Sequence, residues 1–132
     1  MIKNKILIVD DDEAIRKSLE KTLIAEGFEV ITASDGVLGL ESALGEKPEL
    51  ILTDVKMPRL DGMDMLGELR KSGDWGKKVP VIILTNFDTD EKIVKGIVKD
   101  EPSFYFLKSK INPNTIADII KEKLNANVHI GQ

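Results

Sequence analysis

Three short runs of unbroken aliphatic character punctuate the chain, KILIV at 5–9, ELILT at 49–53 and PVIILT at 80–85. They are rich in β-branched residues and do not alternate with polar ones, which is the pattern of strands covered on both faces of a parallel sheet. Two weaker runs, FEVIT at 28–32 and SFYFL at 103–107, bring the expected strands to five. Helical periodicity fills the gaps. Ile15, Leu19 and Leu23 recur every four residues before Gly27, a C-terminal stop. A second helix follows Ser34 or Asp35 as cap, turns Val37, Leu40 and Leu44 inward, and gives way at Pro48 to the next strand. A third starts near Asp61 and carries Met65, Leu66 and Leu69. A fourth opens on the capping box of Asp88 and Glu91, with Val94, Ile97 and Val98 on one face. The last begins with Asn112 as cap and Pro113 in first helical position, and buries Ile116, Ile119, Ile120 and Leu124.

Strand and helix therefore alternate five times, which predicts an α/β fold, a doubly wound parallel sheet with helices on both faces. A length of 132 residues with 42% hydrophobic and 32% charged residues suits one domain with a single core. That domain is expected over 1–126, with 127–132 as a frayed C-terminal tail and no output domain. No cysteine is present, so a disulfide framework, a thiolate zinc site and a thiol nucleophile are all excluded. The apolar run near the start is too short for a signal peptide or a membrane span, and a cytoplasmic location is expected. A net charge of -4 and a pI near 5.1 argue against direct nucleic-acid binding, which needs a concentrated basic face.

In open parallel sheets, ligands bind beyond the carboxyl ends of the strands, so the residues that end each strand matter most. The first ends in Asp10 and Asp11, the third in Asp54, the fourth in Thr85 and the fifth in Lys108. Three carboxylates, a hydroxyl and an ammonium then share one rim. Mg2+ prefers oxygen ligands and keeps several waters, so Asp10, Asp11 and Asp54 suit it and leave room for a phosphoryl oxyanion. Lys108 could meet that charge and Thr85 could hydrogen-bond it. Asp54, alone at its strand end, is the candidate nucleophile for an acyl phosphate. Asp12 and Glu13 read instead as the acidic start of the first helix. Trp75 reads as a loop residue folded on local surface and His129 as a solvated residue of the tail. Met57, Met63 and Met65 read as packing.

The segments ILIVDDDEAIRKSL, ELILTDVKMPRLDG, PVIILTN and YFLK together resemble the receiver domain of two-component response regulators, over about 5–125. The resemblance implies a flavodoxin-like sheet of strand order 2-1-3-4-5 with five helices. It implies that Asp54 is the phosphoacceptor, that Asp10, Asp11 and Asp54 hold Mg2+ with the backbone carbonyl of Lys56, and that Lys108 pairs with the phosphoryl group. It implies further that Thr85 and Tyr105 are the switch residues. A histidine kinase or a histidine phosphotransfer protein would donate the phosphoryl group. The response would pass to a downstream protein target or to self-association, through the face built from the fourth helix, fifth strand and fifth helix. On this reading the domain is not an enzyme beyond catalysing its own phosphorylation and slow dephosphorylation, and it contacts no membrane.

Three positions depart from the family pattern. Ser109 stands where a proline in a cis bond usually follows the lysine, and since a cis bond before a non-proline residue costs about 3–4 kcal/mol, a trans Lys108–Ser109 bond is expected. Asn86 replaces a very small residue beside Thr85 and could narrow access to the pocket. Phe87 occupies a place where relatives with fast hydrolysis often carry a polar group; it could shield the acyl phosphate and slow its loss. Ser109 and Asn86 keep a second reading open, a degenerate receiver that serves as a constitutive interaction module. A Mg2+-dependent phosphatase of similar topology fits less well, because such enzymes carry an Asp-x-Asp pair just after the first strand, whereas the nucleophile candidate here, Asp54, lies on the third.

Overall fold

The computed structural model describes residues 4–85, 104–107 and 112–130, with side chains for 4–85 and 112–125. Five strands, β1 (Lys5–Val9), β2 (Glu29–Ala33), β3 (Leu50–Asp54), β4 (Val81–Thr85) and β5 (Phe104–Leu107), form one sheet in the order β2-β1-β3-β4-β5. Every pairing is parallel. Five helices are described: α1 (Glu13–Ala25), α2 (Gly36–Glu46), α3 (Gly62–Arg70), α4 (Asp74–Lys78) and α5 (Pro113–Ile130). The helix expected after Asp88 lies outside the described residues.

The unbroken aliphatic strands are explained by two separate cores. In β1, Leu7 and Val9 join Ile51, Val81 and Ile83 under α2 and α3, with Met63, Met65, Leu66 and Leu69. Ile6 and Ile8 join Leu50, Leu52, Ile82 and Leu84 on the opposite face, covered by Leu19 and Leu23 of α1 and Ile116, Ala117 and Ile120 of α5. Successive residues of a strand point to opposite faces, and here both faces are dry.

Local capping chemistry sets where the helices begin. The carboxylate of Asp12 accepts from the amides of Ala14 and Ile15, that of Asp35 from Leu38, and that of Asp61 from Asp64. Asn112 accepts from the amide of Asn114 at the start of α5. Gly27, at φ 95°, follows the end of α1 as expected.

Two expectations need correction. Leu44 does not turn inward but is 42% exposed, and the face of α2 against the sheet is Gly36, Gly39 and Ala43. Small residues win that face because α2 approaches β1 closely: a β-carbon on Gly39 would stand only 2.8 Å from Val9 Cγ1 and 3.0 Å from Met65 Sδ. Trp75 is not in a loop but in the one-turn helix α4, where its indole N–H donates to the carbonyl of Pro48 at 3.2 Å and its ring packs on the core. Arg70 secures the same turn by donating to the carbonyls of Gly76 and Val79. At the other end of the chain, α5 runs on to Ile130.

Candidate functional site

The strand order reverses between β1 and β3, since the chain leaves β1 toward β2 on one side and leaves β3 toward β4 on the other. A crevice forms at such a switch point. Register aligns the carboxyl ends, with Val9 beside Thr53 and Asp54 beside Leu84. Asp10, Asp11 and Asp54 therefore converge, each offering a carboxylate oxygen within 4.8 Å of the others. Asp10 is fully buried and Asp54 is 5% exposed, whereas Asp11 is exposed.

Two of the acids, Asp10 and Asp54, are held by their backbone surroundings. The amide of Asp12 donates to Asp10 Oδ1 at 2.8 Å, so the residue that caps α1 also orients the first acid. The amide of Val55 donates to Asp54 Oδ1 at 2.7 Å. Thr53 donates its hydroxyl to the Asp54 carbonyl, and Gly62 closes the β3–α3 loop by donating its amide N–H to the Val55 carbonyl at 2.7 Å. Gly62 permits this closure because a β-carbon there would overlap the Asp54 carbonyl oxygen.

Three carboxylates this close repel one another, and burial of two of them raises the cost. A hard cation relieves both, and an all-oxygen donor set is the kind that Mg2+, Ca2+ or Mn2+ takes. Protein oxygens supply only part of a shell, which leaves positions for water or an oxyanion. The acidic cluster could thus bind a metal.

Thr85 lies at the carboxyl end of β4, 3% exposed, in the strand next to β3. Tyr105 is in β5 opposite Ile83. Lys108, Ser109, Asn86 and Phe87 lie outside the described residues, as does the peptide bond between Lys108 and Ser109. Lys56 follows β3 in the loop and is exposed.

One participant escaped the reading of the sequence. Arg16 donates from Nη1 to the Asp10 carbonyl at 2.7 Å, tying the first turn of α1 to the strand end and bringing a cation beside the acids. The signal was present, because helical side chains lean toward the N-terminus and this arginine lies one turn after Asp12.

The site is thus an oxygen-donor centre at the switch point of a doubly wound α/β domain. The profile of the response regulator receiver domain matches residues 6–121. The response regulator MprA of Mycobacterium ulcerans is 41% identical over 93 residues, a stretch of 70% of this chain and 39% of that protein. A CheY-like receiver domain protein of Methanospirillum hungatei superposes with a TM-score of 0.85 at 32% identity, covering 95% of this chain and 96% of its own. The chemotaxis response regulator CheY4 of Vibrio cholerae gives 0.81 at 28% identity over 92% and 98%. The chain belongs to the response regulator receiver domain family, and it spans about two-fifths of the length of the curated relatives it matches. No helix among the described residues is long and apolar enough to cross a membrane.

Proposed function

We propose that this domain is a phosphorylation-controlled switch that accepts a phosphoryl group on Asp54 from a histidine kinase or a histidine phosphotransfer protein, with Mg2+ as cofactor. The observation that carries the reading is the convergence of the Asp10, Asp11 and Asp54 carboxylates at the switch point of the sheet. Asp10, Asp11, Asp54 and the main-chain carbonyl of Lys56 would hold the ion. When bound, it supplies charge neutralisation, both among the acids and on the phosphoryl oxygens.

A carboxylate oxygen of Asp54 attacks phosphorus in line. The new P–O bond forms as the P–N bond of the donor phosphohistidine breaks, and the electron pair returns to the imidazole nitrogen. The hydrogen bond from the Val55 amide to Oδ1 fixes the rotation of the carboxylate and so favours near-attack geometry. Lys108 meets the phosphoryl charge and Thr85 closes on its oxygens. Tyr105 turns inward with that closure, and the face around β5 and α5 changes its contacts with a downstream protein or a second copy. Asn86 and Phe87 govern access and shield the acyl phosphate from water.

The test is incubation with Mg2+ and a small acyl phosphate, read by intact mass. One added phosphoryl group is expected, and Asp54→Asn should take none. Absence of any adduct, together with failure to bind beryllofluoride, would refute the switch and leave the constitutive interaction module.

A further inference from the structure

Arg59 occupies a backbone state unusual for a residue with a side chain. Its φ is 70°, and the Leu60 amide donates across it to the Pro58 carbonyl at 2.8 Å. A bond spanning two residues about a positive φ is a strained γ-turn. Such states persist only where the surroundings over-determine them. Here the N-terminus of α2 does so twice. Asp35, buried at 7% exposure, accepts from the Leu38 amide through Oδ1 and turns Oδ2 to Arg59 Nε at 3.5 Å. Gly36 then lies against Leu60 so closely that a β-carbon would overlap its carbonyl oxygen. At its far end the loop is closed by the Gly62 bond to Val55. Lys56, whose carbonyl is assigned to the cation, lies between the two fastenings.

We infer that Asp35 and Arg59 are positioning residues, a latch by which α2 holds the β3–α3 loop in the shape that presents the Lys56 carbonyl and the Asp54 carboxylate to the metal. The inference rests on the metal-site reading above. The Arg59 side chain is 54% exposed and that of Asp35 10%, so the pair adds little to folding, and its effect falls on the loop.

Three variants separate charge, strain and cap. Asp35→Asn keeps an equally good N-cap and removes the charge. Arg59→Gly adopts the positive φ without cost and removes the pair. Arg59→Lys keeps the charge. Calorimetric titration of the purified chain with Mg2+ should show Asp35→Asn and Arg59→Gly binding about two- to fivefold more weakly, the ceiling that a half-exposed ion pair sets, and Arg59→Lys recovering most of the loss. Amide hydrogen exchange across 55–61, measured without metal, should quicken in the first two variants and not in the third. Unchanged affinity and exchange in Asp35→Asn and Arg59→Gly would overturn the latch. If the unaltered chain binds no Mg2+, the metal-site reading fails, and the exchange measurement decides the latch by itself.

Discussion

Replacing Gly62 by alanine is the sharpest perturbation of the loop that follows Asp54. The added methyl would overlap the Asp54 carbonyl oxygen and stand 3.0 Å from the Asp54 carbonyl carbon and 3.2 Å from Val55 Cα. All three are backbone atoms, so no side chain can swing aside, and either the end of β3 or the start of α3 must shift. Overpacking of this kind costs about 1–3 kcal/mol. The shift also strains the Gly62 to Val55 hydrogen bond, worth about 1 kcal/mol. Alanine's better helix propensity offsets only a fraction of ~1 kcal/mol at a first helical position. The net loss is about 2–3 kcal/mol, which for a domain of this size lowers the melting temperature by about 6–15 °C. Gly45 provides the control: it lies in α2 with nothing within 4 Å of a β-carbon, so Gly45→Ala should raise stability by about 0.5–1 kcal/mol. Thermal melts followed by circular dichroism compare the two. A Gly62→Ala protein that melts at or above the unaltered chain would refute the steric argument and the loop geometry with it.

The packing of α2 predicts a contrast in urea denaturation: Ala43→Leu, fully buried against the sheet, should lose about 1–3 kcal/mol, while Leu44→Ala, 42% exposed, should stay within about 0.5 kcal/mol. Equal losses would contradict the assigned face. A hydrogen bond and the charge of Lys17 hold the Glu13 carboxyl below its ordinary value of 4.5, so its contribution is present above that value and is lost as pH falls through the lower folded one. Glu13→Gln should therefore melt slightly below the unaltered chain at neutral pH and low salt, with the gap closing on acidification; a gap that widens toward low pH would reverse the sign. The phospho-Asp54 form should decay slowly and Phe87→Glu should hasten its hydrolysis, followed by intact mass against time; decay within seconds in the unaltered chain would count against the shielding role of Phe87.

The features legible in the sequence share one physical basis, that they are local. An aliphatic run names the residue that follows it, so Asp10, Asp54 and Thr85 could be placed at strand ends, and Asp12, Asp35, Asp61 and Asn112 could be named as helix starts because a cap bonds within its own first turn. The misses depend on distances between elements. Periodicity weighs hydrophobicity and is blind to how near a helix lies to its sheet, so it chose Leu44 over Ala43, although the close approach of Gly39 to Val9 leaves room only for small side chains. Trp75 took its place from a carbonyl at Pro48, and Arg59 from a carboxylate at Asp35, partners that no local window contains. The adjacent Asp10, Asp11 and Asp12 show both cases at once. Asp12 is explained by its neighbours alone, as the cap of α1, yet the same residue lends its amide to Asp10 and so helps build a centre that only the pairing of β1 with β3 completes. Loss of the cap, as in Asp12→Ala, should consequently loosen the start of α1 and, with it, the amide that orients Asp10, which a lower melting temperature together with weaker Mg2+ binding in calorimetric titration would check. Asp12→Asn, which keeps the cap and the main-chain amide, should leave both nearly intact.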